Sequence, residues 1–295
     1  MNKIFFFKNV SAHHIKVSHA GFVGLPSITG ITGLNRNFAI QLAKELGLSP
    51  ADLQPAGALL AMEGYHLHEG YKKGHKPGQA VYEAIPAAWA SFTAHIALEI
   101  TAVTEAAQQK LAGASVEALA QGLLEAMPLC KGTLCNVQPP LVLVSEDAPG
   151  PARLKVLQML PASSFVVRDY GYIVSGMRAE GLPLMEGLVA STLRHATRPA
   201  HYREFFESDA IAAHEFALAP VMNGVLKIEE APSAKSMRPD AMGNMTGSTV
   251  GSPAFTLTRL QMAASLRIGV KNNDEPALAF WREYQYPQGY FCAAE

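Results

Sequence analysis

The chain has 295 residues, 49% hydrophobic and 17% charged, with a formal charge of −1 and a pI near 6.8. Those values describe a globular protein of one large domain or two modest ones. They exclude a bulk basic surface of the kind that coats duplex DNA, but not a local basic groove.

In chain order, IFFFKNV (Ile4 to Val10) reads as a strand. GFVGLPSITGITGLNRNFAIQLAKEL follows, a Gly/Pro/Ser/Thr turn leading into an amphipathic helix at about 29–46. Gly21, Gly24, Gly30 and Gly33 permit tight turning and close approach, and Ser27 or Thr29 can cap the helix. A capped helix start of this kind also suits a phosphate. Alternation predicts a strand over Gly57 to His68 and another over AWASFTAHIALEIT, with Phe92, His95, Ala97 and Glu99 among the alternating positions. VEALAQGLLEAM carries Val116, Leu119, Leu123 and Leu124 at helical spacing, and Leu141 to Ser145 is a short apolar strand. The resulting βαββαβ order predicts an α+β, ferredoxin-like or RRM-like domain over 1–146, with two helices on one sheet face and the other face free.

Residues 69–84, EGYKKGHKPGQAVYEA, interrupt the second and third strands as a polar, Gly-rich, basic arm. Loops of that length in a compact domain usually serve function. The remainder, 147–295, reads as an irregular α/β extension. ARLKVLQML, LPLMEGLVASTLRHA and TLTRLQMAASLRI suggest helices, and SSFVVRDYGYIVSG a strand followed by a turn. Residues 231–255 read as a long loop or partly disordered insertion, and LAFWREYQYPQGYFCA as a terminal hairpin turning at Pro287–Gly289.

Candidate chemistry is sparse. His66 and His68 share a strand face with His75 nearby, but no Cys stands at zinc-finger spacing, so surface or RNA-facing histidines are preferred to a metal site. Cys130 and Cys135 at C-x₄-C lack a second pair, which leaves buried or incidental thiols. The sequence has no G-x-S-x-G elbow and no Walker loop. Neither a metal nor another cofactor is expected, and no catalytic residue stands out. The sharpest binding feature is Tyr71, Lys72, Lys73, His75 and Lys76: cations for phosphates and rings for bases, as single-stranded RNA requires. Its alternative is a solvated loop charged for solubility.

With GYHLHEGYKKGHK, SFTAHIALEI, ARLKVLQMLPASSFVVRDY and LAFWREYQYPQGYF in the same order, the Gly-rich helix-one stretch resembles one family over most of the chain. It is similar to the Cas-five-type subunit of type I-F CRISPR surveillance (Csy, or Cascade) complexes, within the RAMP superfamily. The middle, from about 195 to 255, has no counterpart in the resemblance. The resemblance implies an RRM-like core with a protruding arm that binds the 5′ handle of the CRISPR RNA (crRNA) and caps the backbone filament. It implies partners among the backbone subunits, a pairing with the large subunit, target DNA met through the complex, and no membrane. It also implies a non-catalytic role. Gly30, Gly33, Asn35 and Arg36 fall in the helix-one signature, and Lys72, Lys73 and Lys76 in the basic arm. His66, His68 and Tyr71 are the expected base contacts and Arg36 a backbone contact.

The rival class is a metal-independent RNA-processing endonuclease on the same fold, with His13, His14 or His66 as acid and base. A third is a protein-only interaction module. No run of 18 apolar residues occurs, the N-terminal apolar core is too short for a secretory signal, and an odd number of cysteines (Cys130, Cys135, Cys292) fits a reducing compartment. The expected location is therefore the cytoplasm.

Overall fold

A computed structural model describes residues 1–19, 22–75, 82–113, 115–145, 149–193, 195–208, 218–227, 237–239, 245–247, 251–271, 278–286 and 289–294. β1 (Asn2–Lys16) is followed by the short strands β2 (Ser18–His19) and β3 (Phe22–Val23), then α1 (Ile28–Glu45). β4 (Leu53–His75) and β5 (Tyr82–Ala102) are long partners, and α2 (Glu105–Leu111), α3 (Val116–Ala126), β6 (Thr133–Cys135) and β7 (Leu141–Ser145) complete the first half. The second half holds α4 (Pro149–Met159), β8 (Phe165–Asp169), α5 (Gly171–Ala179), α6 (Leu184–Thr192), α7 (Ala200–Glu207) and β9 (Ala219–Lys227). β10 (Met237–Pro239), β11 (Met245–Gly247), β12 (Gly251–Met262), α8 (Ala263–Lys271), β13 (Trp281–Tyr286) and β14 (Gly289–Ala294) end it.

The protein is a mixed α/β structure on a mostly antiparallel sheet. The main sheet runs β13-β14-β9-β12-β8-β4-β5-β1-β6, with β7 also on β1. Trp281 of β13 returns to pair with Ala58 of β4, which closes the second-half strands into a ring with β4. The segment after residue 146 is thus built into the same sheet as the first half.

α1 forms where Ile28, Ile31, Leu34, Phe38 and Leu42 recur at helical spacing and are buried. The Ser27 hydroxyl accepts the Gly30 N–H at 3.1 Å and caps it. Phe38 meets Phe5 and Phe7 edge-on, with centroids 5.4 and 6.1 Å apart. The helix start is not open for an anion, because the Cys130 thiol lies against it, 3.8 Å from the Ser27 hydroxyl. Burial pushes that thiol up to about 11, so it stays protonated. A Cβ at Gly30 would stand 2.3 Å from the Cys130 sulfur but 3.6 Å from its Cβ. Gly30→Ala is therefore expected to destabilise the fold by about 1–3 kcal/mol. Adding Cys130→Ala should recover most of the loss in denaturant unfolding; an equally unstable double variant would refute this packing account.

The expectation of a free second sheet face is corrected where α4 and α8 pack on it. Phe5, Phe7, Val10, Ala58, Leu60, Ile96 and Leu98 face α1 and α3. Ile4, Phe6, Leu59, Ala61 and Ala97 face the other way, onto Ala152, Val156 and Leu157 of α4 and Ala263 and Leu266 of α8. Four consecutive apolar residues, IFFF, are what a strand buried on both faces requires. Two local expectations change as well. TLTRLQM is strand, the end of β12, before α8 begins at Ala263, and the turn expected after FVVRD is the helix α5. β10, β11 and the start of β12 lie inside 231–255, whose other residues are outside the described ones. The terminal hairpin stands as expected, with Tyr286 opposite Gly289.

Candidate functional site

Where α4 and α8 stop covering the second face, β5 changes character. Its odd positions run from Glu99, Ala97 and His95, all buried, to the half-buried Thr93, Ser91, Trp89 and Ala87. Bulges bend the strands there: β1 shifts register between Phe7 and Val10 and again between Ala12 and Ile15, and β4 between Glu63 and His66. Asn9 and His14 take left-handed φ values of 55° and 54°, and Gly64 one of 59°.

His95 marks the border. Its Nδ1 accepts the Asn9 backbone N–H at 3.3 Å, so Nε2 carries the proton and donates to Glu63 Oε2 at 3.3 Å. Burial pulls the His95 pKa below its usual value, outweighing the Glu63 carboxylate that raises it; Lys8 lowers it further. The Glu63 carboxyl is held low chiefly by the Ser163 hydroxyl, which donates to its other oxygen. The sign follows. Below about pH 6.5 the unfolded chain binds a proton at position 95 that the native fold resists. Native stability should fall as pH drops from there toward the depressed value, with a slope of up to about 1.4 kcal/mol per pH unit for one proton. His95→Asn should flatten the curve in that window, read from thermal unfolding between pH 7.5 and 5.5. An unchanged pH dependence would remove His95 as its source.

Beyond His95 the β4–β5 pair continues as a ribbon, His66 opposite Ser91 and His75 opposite Tyr82. The arm expected at 69–84 is the distal part of this longer hairpin. Its root is held from the α1 side. Tyr65 stacks on Phe92 with centroids 5.8 Å apart, and its hydroxyl donates to the Gly24 carbonyl. The Val17 N–H donates to Ala88 O at 3.1 Å, and Gly24 N–H to Val17 O at 3.1 Å. Burial raises the Tyr65 phenol to about 12, so it remains a donor at any physiological pH. The Gly-rich segment around Gly24 thus anchors the ribbon.

Across the open face, residues directly opposite one another share a side of the sheet. Lys16 of β1 pairs with Trp89 of β5, and Trp89 with His68 of β4; Ser91 with His66 forms the next row. His66 and His68 are both exposed, as expected of surface histidines. Tyr71, Lys72, Lys73 and His75 occupy ribbon positions opposite Pro86, Ile85, Ala84 and Tyr82, and their side chains are outside the described ones. Lys76 lies outside the described residues altogether.

The helix-one residues are not brought to this face. Arg36 sits on α1, across the sheet, where its guanidinium donates to Glu283 at 2.9 Å; it is a bond between α1 and β13, not a backbone contact beside His66. Asn35 is buried, and its amide donates to the carbonyls of Gly57 at 2.9 Å and Glu99 at 3.1 Å. It clamps α1 to β4 and β5 beside the register shift between Pro55 and Gly57, a role its place within the apolar stripe of α1 already signals. Gly30 packs on Cys130, and Gly33 has nothing within 4 Å of a Cβ position. His13 and His14 are exposed at the β1 bulge, with His13 opposite Thr133. Among the described residues no group of three or more His, Cys, Asp or Glu is placed to hold a metal ion, and no helix is long and apolar enough to cross a membrane. Sequence reasoning missed Lys16, Trp89, Ser91 and Thr93. The signal was the alternation in AWASFTA, small or apolar at even positions and polar or aromatic at odd ones.

No protein-family model matches the chain. A search of curated proteins finds no significant relative.

Proposed function

We propose that this chain is a non-catalytic RNA-binding subunit of a type I-F CRISPR surveillance complex. In this reading it grips the crRNA 5′ handle, caps the backbone filament and pairs with the large subunit in recognising target DNA. The observation that carries the reading is a lysine-bearing ribbon that continues β4 and β5 beyond His95, from a part of the sheet where His66 and His68 are exposed and Ser91 and Thr93 half-buried. The strand order β7-β1-β5-β4, with α1 and α3 on one face, supports the ferredoxin-like (RAMP) core that the resemblance implies. The covered half of the sheet limits the RNA to the ribbon and the face near its root. Cations on a β-hairpin follow a phosphate backbone, while the exposed His66 and His68 offer donors and acceptors to base edges.

The test uses the purified chain and a fluorescent RNA carrying the repeat-derived 5′ handle. Saturable binding that weakens with salt, without cleavage over hours in EDTA, is the expected result. No binding at low salt would refute the RNA-binding role. Specific cleavage abolished by His13→Ala, His14→Ala or His66→Ala would replace it with the nuclease.

A further inference from the structure

We infer that the gap between β4 and β13 takes one extended peptide segment of a partner protein, which pairs with the free edge of β13. The inference is independent of RNA binding, because the gap lies beside the first residues of β4, at the opposite end of that strand from the ribbon.

The ring of strands closes here through one residue pair. β13 pairs with β14 from Trp281 to Tyr286 with no bulge, but meets β4 only where Trp281 stands opposite Ala58. β4 pairs with β5 along one side. On the other it meets β8 at Ala61 and Met62, and no described strand pairs with residues 53–57 there. The two strands part after Trp281, and a cavity of about 490 Å³ opens between them, within the ordinary range of binding clefts. Residues 53–57 line one wall, residues 281–283 and Gln285 another, and Asn35, Arg36 and Ile40 of α1 a third.

The chemistry of those walls selects a peptide. Every second residue of a strand turns its N–H and C=O away from the neighbour it pairs with, so both strand walls present main-chain donors and acceptors. Natural edges are guarded by proline, by bulges or by charges directed outward. β13 has no proline between residues 281 and 286. Its charges are turned elsewhere: Glu283 is 15% exposed and bonded to Arg36 of α1 at 2.9 Å, and Arg282 lies over the Tyr284 ring, 5.9 Å from its centroid. The edge is therefore suited to strand addition. The α1 wall adds a second requirement. Asn35 is 2% exposed and uses Nδ2 on two carbonyls, while its Oδ1 has no partner among the described residues. Buried acceptors are normally satisfied, so the occupant brings a donor into surroundings that Ile40, Leu53 and Trp281 make apolar. At about 3.3 Å per residue, residues 282–285 offer an edge for about four residues, with every second side chain turned to α1. A Thr, Tyr or Trp side chain, apolar in body with one polar donor, meets both demands there.

The experiment pans a phage library of random linear decapeptides on the full chain and measures synthetic copies of the enriched peptides by fluorescence anisotropy. Ala51 and Gln285 are exposed residues of the lining on opposite walls, so Ala51→Trp and Gln285→Trp each fill the gap without touching the core. Each should weaken peptide binding about tenfold or more, with thermal unfolding as the check that the variant is folded; two walls keep the test alive if one variant is not. Methylating the peptide's own amide nitrogens separates strand pairing from side-chain docking. Methylation at every second residue should cost about tenfold more affinity than methylation at the residues between. A library without an enriched binder would overturn the site. So would peptides that bind both filled variants as they bind the native chain, or that tolerate methylation at every position. None of these outcomes bears on RNA binding by the native chain.

Discussion

Arg153→Met is expected to lower the free energy of unfolding by about 3–5 kcal/mol, the largest effect of any single substitution outside the apolar core. The Arg153 guanidinium donates to Glu99 Oε2 from Nε at 3.0 Å and from Nη2 at 2.8 Å, and lies 5.1 Å over the Phe280 ring. Glu99 is fully buried on β5, and Arg153 reaches it from α4. Methionine fills similar volume and keeps the contact with Phe280, but leaves a carboxylate in the interior without its counter-charge. Gly57 belongs to the same arrangement, because a Cβ there would press to 2.9 Å on Glu99 Oε2. The pair pins α4 to the sheet, so its loss loosens the element that closes half of the second face. Adding Glu99→Gln to Arg153→Met should recover a large part of the loss, since the buried charge is then gone. Denaturant unfolding of the two variants measures this. A single variant within 1 kcal/mol of the native chain would show that Glu99 is neutral or solvated.

The second large effect concerns RNA. Lys72→Ala/Lys73→Ala/Lys76→Ala should weaken binding to the handle RNA and flatten the plot of log affinity against log salt by about two units. Each phosphate contact on a single strand contributes roughly 0.7 to that slope, and three are removed. Lys72 and Lys73 sit on the outer ribbon opposite Ile85 and Ala84, far from the packed core, so folding should be unaffected. An affinity and a slope both equal to those of the native chain would take the ribbon out of the interface. A loss of affinity without a change of slope would point instead to shape or stacking.

Local features were legible in the chain because local rules decide them. Ser27 before an apolar 3.6-residue period produced α1 within a residue or two of its expected limits, and Pro287 before Gly289 marked the terminal hairpin. The arm between the second and third strands was visible as a basic interruption, although its alternation hid that it is a continuation of both strands. Asn35 was placed in the helix-one signature without a physical role. Its neighbours Ile31, Leu34 and Phe38 place it on the buried face, where an amide is needed to satisfy two carbonyls.

The chain alone determined that a strand, a capped helix and a long hairpin with clustered lysines would form, since each depends on residues within a few positions of one another. Which half of the sheet stays open was decided only in three dimensions. The covering helices α4 and α8 come from more than 140 residues beyond the IFFF strand they bury, and periodicity reports burial on both faces without naming what supplies it.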